Sequence, residues 1–246
     1  MRQPLDDAGK MMMMTMITTM TTRMTPMMTR LGAVLVAGLV ATAAHGQDFT
    51  HADDGMPWCD TLEIGSAGAV DCALMPADVL LNFAYETGEW ESILSFTQHD
   101  PMTGELLDAS DPLTIESVVS APTLRDINED GTPEVFIPYI TGNVNTYYYV
   151  WQADEAGLYY PSGELGGFGV DAFELRDGLV ITTTRDSATT YHETAQLLDV
   201  DGFVPIYEML INAANGSCTI TDGSGIMARG LDAATITADC EAGLAN

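Results

Sequence analysis

The sequence predicts an all-β protein of antiparallel sheets, arranged as a sandwich or as propeller-like blades. Three observations carry that prediction. Short runs of β-branched and aromatic residues recur along the chain. Clusters rich in Gly, Asp and Pro separate them at close intervals. No long segment repeats its apolar residues with the helical period of 3.6.

The elements can be justified in chain order. Residues 79–85 and 92–97 run or alternate apolar, with Glu86-Thr87-Gly88-Glu89 as the turn between them, although 76–83 also fits a short helix. Asp100-Pro101-Met102-Thr103-Gly104 is a strong turn signal, because Pro presets one backbone angle and Gly frees another. Strands are expected at 113–119, 134–140 and 146–152. The last carries Tyr147-Tyr148-Tyr149-Val150-Trp151, side chains that fit a pleated, half-buried surface. Ala153-Asp154-Glu155-Ala156-Gly157 turns the chain into 158–160. Segments 173–175 and 179–184 pair across Arg176-Asp177-Gly178, a tight-hairpin signal. Segments 190–198 and 203–211 repeat the same logic across Asp199-Val200-Asp201-Gly202, and 213–246 reads as loop-rich.

The N-terminus is expected to lie outside the fold. Residues 1–27 contain a Met/Thr low-complexity run that reads as the product of an upstream start codon. Residues 28–46 have the layout of a secretory signal peptide: Arg30 is the basic end, 31–40 is a short apolar core, and small residues follow. The apolar run is too short to span a membrane. Cleavage fits after Gly46 or after Ala43. The first is preferred and places Gln47 at the start of one domain, 47–246, that is periplasmic or secreted.

Charge narrows the partners. Removing Asp6 and Asp7 from the 36 acidic residues, and Arg2, Lys10, Arg23 and Arg30 from the eight basic ones, leaves 34 against four, a net of −30. Such a surface repels nucleic acid and anionic membranes and favours cations and basic proteins. Adaptation to salty surroundings would produce the same charge. Four cysteines, Cys59, Cys72, Cys218 and Cys240, form an even set in an exported chain and argue for two disulfides. Of three connectivities the local one, Cys59–Cys72 and Cys218–Cys240, is expected, since each pair brackets a Gly- and Asp-rich loop. Zinc is the alternative, but no C-x-x-C spacing supports it.

One motif carries specific chemistry. Asp126-Ile127-Asn128-Glu129-Asp130-Gly131-Thr132-Pro133-Glu134 reads D-x-N-x-D-G-x-x-E. Oxygens at alternate positions of a tight loop can converge on one hard cation, and Ca2+ takes six to eight oxygen ligands. Asp126, Asn128, Asp130 and Glu134 are the expected side-chain ligands, with Thr132 offering its carbonyl. A solvated acidic turn would need no metal. An EF-hand requires Glu at the twelfth position, where this chain has Ile137, and a strand follows rather than a helix. The fold class thus includes one inter-strand calcium loop. No nucleophile elbow, P-loop or dinucleotide fingerprint occurs, and no nucleophile neighbours His99 or His192, so no catalytic residue is assigned.

Segment 125–167 resembles the calcium-loop segment of FG-GAP/VCBS-type repeats. It resembles more closely a group of bacterial periplasmic proteins in which that loop is followed by a Gly/Asn turn, a Tyr/Trp strand and a P-x-x-E-L stretch. Here these are Gly142-Asn143, 147–151 and Pro161-Ser162-Gly163-Glu164-Leu165. The resemblance implies a propeller-like, calcium-binding protein that acts as an immunity-type inhibitor of lysozyme-like toxins. In such inhibitors an S-G-x-x-Y loop enters the muramidase cleft. The matching positions here are Ser187 and Tyr191, with Ala188 in place of Gly, and Glu134 stands where the group has Asp. The expected function is therefore binding of a basic protein, with muramidase occlusion as the finer reading. The alternative is an adhesion or matrix module that binds glycans through 147–151.

Overall fold

The computed structural model describes residues 55–62, 70–116 and 120–245. The expected low-complexity segment 1–27 and signal peptide 28–46 lie outside the described residues. The strands form three antiparallel sheets, each a meander of neighbours in sequence. The first holds β1 (Cys72–Leu74), β2 (Leu80–Thr87), β3 (Glu91–His99) and β4 (Leu106–Ala109), and β5 (Leu113–Glu116) also pairs with β3. The second runs β6 (Thr123–Arg125), β7 (Glu134–Thr141), β8 (Thr146–Ala153) and β9 (Tyr159–Gly167). The third runs β10 (Glu174–Arg176), β11 (Leu179–Arg185), β12 (Thr190–Asp199), β13 (Gly202–Asn212) and β14 (Ser217–Asp222). Among the described residues one α-helix, α1 (Ala233–Leu244), follows, alongside three short 3-10 turns.

The period-2 alternation of strand side chains explains the layering. In β7, Val135 and Ile137 join Leu81, Phe83, Leu94 and Phe96 of the first sheet in one buried cluster. Phe136, between them, points the other way and packs with Val180 of the third sheet. The second sheet is thus covered on both faces, and for that reason β7 is apolar without alternation from Val135 to Pro138. The outer face of the third sheet, with Leu179, Ile181 and Met209, packs against Ile236 and Cys240 of α1. Side-chain amides tie the sheets together. The fully buried Gln98 donates to the Tyr159 carbonyl at 2.7 Å and accepts from the Tyr159 N–H at 2.8 Å. Asn145 makes the same two-way contact with the backbone of Arg185, and Gln152 donates to Asp199 O. At Gly202, φ is +107° and an added Cβ would lie 2.3 Å from Ser162 O. Only Gly lets the β12–β13 turn approach β9 that closely.

Two expectations are corrected. Residues 76–83 are a turn leading into β2 rather than a short helix, because Leu81 and Phe83 alternate into the core as a strand requires. Residues 213–246 are not loop-rich, since they contain β14 and the twelve-residue α1. The helix starts at Asp232, whose carboxylate caps Thr235 N at 2.9 Å.

The cysteines pair Cys59–Cys72 and Cys218–Cys240. No residue of α1 is fully buried, and the second bond ties it covalently to β14 beside the packing of Ile236. Replacing Cys218 and Cys240 together by Ser is expected to speed amide exchange in α1 while β7–β9 keep their protection. A uniform loss of protection would show instead that the helix stabilises the whole stack.

Candidate functional site

The D-x-N-x-D-G loop joins β6 to β7, and its side chains turn inward. The Asp126 carboxylate accepts from Asp130 N (3.1 Å) and Gly131 N (2.9 Å). Asn128 Oδ1 accepts from Asp130 N at 3.1 Å, and its amide nitrogen donates to Asp130 Oδ2 at 2.9 Å. Asp130 Oδ1 accepts from Thr132 N at 2.8 Å. Gly131, at φ +95°, makes the sharp turn that closes the loop. Glu134 opens β7 with 2% of its surface exposed, and one of its oxygens accepts from Ile127 N at 2.9 Å.

The electrostatics of this loop are uncompensated. The Glu134 carboxyl is raised from its ordinary 4.5 to about 7, chiefly by burial and also by the nearby charges of Asp130 and Asp126, against the lowering pull of backbone N–H donors. The adjacent Arg125 does not answer them, because its guanidinium donates to the carbonyls of Val170 and Phe173. Among the described residues no group of three or more His, Cys, Asp or Glu is preset as a metal cluster. The oxygens of Asp126, Asn128 and Asp130 gather on the loop's own N–H groups at 130–132, a mixed set of carboxylates and an amide oxygen. All are hard oxygens, the donors that a calcium ion prefers. Glu134 is buried beside the charges of Asp130 and Asp126, so the loop is oxygen-rich and negative, a donor chemistry that suits a hard cation.

Ser187 and Tyr191 occupy one hairpin but different environments. Ser187 is exposed in the β11–β12 turn, where Arg185 folds back to donate to the carbonyls of Ser187 and Ala188. Ala188 does not have a positive φ, so it carries none of the strain that the missing Gly could imply. Tyr191 lies on β12, half-buried, its ring edge-on to Phe168 at 6.3 Å with the Arg185 guanidinium 6.0 Å from its centre. The turn thus presents the serine, while the tyrosine lies along the sheet.

The 147–151 strand splits by alternation. Tyr148 and Val150 are core, whereas Tyr149 stacks on Tyr139 at 4.2 Å and Tyr147 lies 6.3 Å from Tyr139. His192 is exposed and its neighbour Glu193 buried, on opposite faces of β12. Glu193 belongs to a group that no sequence motif announced. Tyr207 donates to it at 2.8 Å, and Arg176 stands 3.6 Å away. Burial and then the Glu193 charge push the Tyr207 phenol upward. The group lines a cavity of about 520 Å3 between the third sheet and α1, whose other walls are mostly apolar side chains such as Leu179, Met209 and Ile236, with Asp177 and Asp239 also lining it. The three residues come together only through register across β10–β13, so the sequence offered no spacing to find them by.

No family description matches this chain, and no curated protein is similar to it. Among solved structures, a Xanthomonas protein described as type IV secretion system related is similar over 65% of this chain and 90% of that one, at 11% identity and a TM-score of 0.40. Among the described residues no helix is long and apolar enough to cross a membrane.

Proposed function

We propose that this chain is an exported, non-catalytic binding protein whose β6–β7 loop is held by one structural calcium ion and which docks a basic protein. The observation that carries this reading is the uncompensated group Asp126, Asp130 and Glu134, in a protein with 36 acidic and eight basic residues. Calcium would be held by Asp126, Asn128, Asp130, Thr132 and Glu134 and would neutralise the charge that burial makes costly at Glu134. The protein's own residues close the loop and fix the start of β7. The acidic surface steers a cationic partner during approach.

The resemblance of 125–167 supplies the finer reading, a muramidase occluded by the hairpin of Ser187 and Tyr191. The test is a cell-wall lysis assay with the full chain, with and without calcium, against several muramidases. Inhibition weakened about tenfold or more by Tyr191→Ala, in line with the loss of an aromatic anchor, would support it. Inhibition of no enzyme by folded, calcium-treated protein would sink it. The row of Tyr139, Tyr147 and Tyr149 favours a second reading, a glycan-binding adhesion module. That reading predicts oligosaccharide binding indifferent to Tyr191.

A further inference from the structure

We propose that the cleft between the β4–β5 connection and strands β8–β9 is a receptor for an arginine side chain of a basic protein partner. The cleft measures about 500 Å3, within the range of about 300–1,000 Å3 typical of ligand pockets. Its lining includes Tyr149, Trp151 and Tyr159, which belong to the face of the second sheet turned to the first. Trp151 and Tyr159 are 6% and 2% exposed and form its depth, while Tyr149 is half-buried at its wall. Asp108, Asp111 and Glu164 also line it, and all three are exposed, which places carboxylates at its mouth. Tyr149 and Glu164 are direct cross-strand partners, and Tyr139 braces both, stacking on one face of the Tyr149 ring at 4.2 Å and donating to one Glu164 oxygen at 2.6 Å.

Two features specify the occupant. Aromatic faces attract cations through the negative face of the ring, and a guanidinium both stacks flat on such rings and forks onto carboxylates. The surrounding charge is of one sign. No Lys or Arg occurs anywhere in 47–124 or 126–175, and the intervening Arg125 is spent on carbonyls at the third-sheet side. The remaining arginines of the domain, Arg176, Arg185 and Arg229, belong to the third sheet or follow β14. The first two sheets therefore hold an aromatic slot with no internal cation to fill it. The biological meaning of the cleft rests on the binding-protein reading above; its chemistry does not.

The test uses acetyl-Gly-Arg-Gly-amide as probe and the full chain, read by backbone amide chemical shifts. The expected result is shifts confined to 108–113, 149–151 and 159–164, stronger binding than the Lys peptide, and no binding of the Gln peptide. The paired change Asp111→Asn with Glu164→Gln is expected to weaken binding about fivefold or more. The paired change Asp186→Asn with Glu208→Gln, equal in charge but on the third sheet, is expected to leave it unaltered. Shifts spread over the surface, equal loss in both paired variants, or equal binding of the Gln peptide would each overturn the assignment. If a basic protein binds the full chain and the cleft variant equally well, the cleft assignment falls while the binding-protein reading stands. If the probe binds the cleft and no basic protein binds, the reverse holds.

Discussion

Calcium at about 100 times its dissociation constant is expected to raise the melting temperature of the metal-stripped protein by roughly 5–10 °C. Ligand at that level stabilises by about 2.7 kcal/mol, and in a domain of this size each kcal/mol moves the midpoint by about 2–4 °C. Asp126→Asn or Asp130→Asn is expected to remove most of the rise, since each keeps an oxygen for the loop N–H groups but loses a charge. The effect depends on pH through Glu134, whose carboxyl is raised from 4.5 to about 7 by burial and by the neighbouring carboxylates. Between these values the native state holds a proton that the unfolded chain has lost. The stability of the metal-free protein therefore falls as pH rises across that window, by up to about 3 kcal/mol at about 1.4 kcal/mol per unit. Calcium requires the ionised form, so its stabilisation grows over the same range. Melts at pH 5 and pH 7.5, in EDTA and in calcium, decide the matter. Glu134→Gln should flatten the EDTA difference relative to the parent. Identical melts with and without calcium at both pH values would remove the metal from this loop.

Phe136→Ala is expected to be the most damaging single core change, costing about 3–5 kcal/mol and roughly 6–20 °C in melting temperature. Phe136 is fully buried between the second and third sheets. Its ring meets Tyr148 edge-on at 5.8 Å and Phe173 at 5.8 Å, and those two rings meet each other at 5.9 Å. Deleting it leaves a cavity whose walls are strands held in register on both sides and unable to collapse inward. Urea unfolding of the variant measures the cost. A loss below about 1 kcal/mol would mean that the two sheets do not depend on this contact.

Much of the strand pattern was legible because it is local. Arg176-Asp177-Gly178 and Asp199-Val200-Asp201-Gly202 announced the β10–β11 and β12–β13 turns, and both hairpins are present. The helix α1 escaped notice. Its inward face amounts to Ile236 and Cys240, a stripe too narrow for periodicity to register, and its Thr residues favour strands. The turn before β2 left a short helix open as the alternative to the strand at 79–85, because Pro and Ala at 76 and 77 fit either state.

By itself the sequence determined the all-β class, the acidic surface and the spacing of oxygen-bearing side chains in the β6–β7 loop, because strand alternation, charge and short-range spacing are local properties. Only the tertiary structure decided the rest. Burial makes Glu134 reluctant to ionise, packing sets the Tyr191 ring edge-on to Phe168, and Tyr149, Trp151, Asp111 and Glu164 share one cleft because two sheets face each other. Contacts between strands distant in the chain depend on register and on which face meets which, and no window of sequence contains both partners.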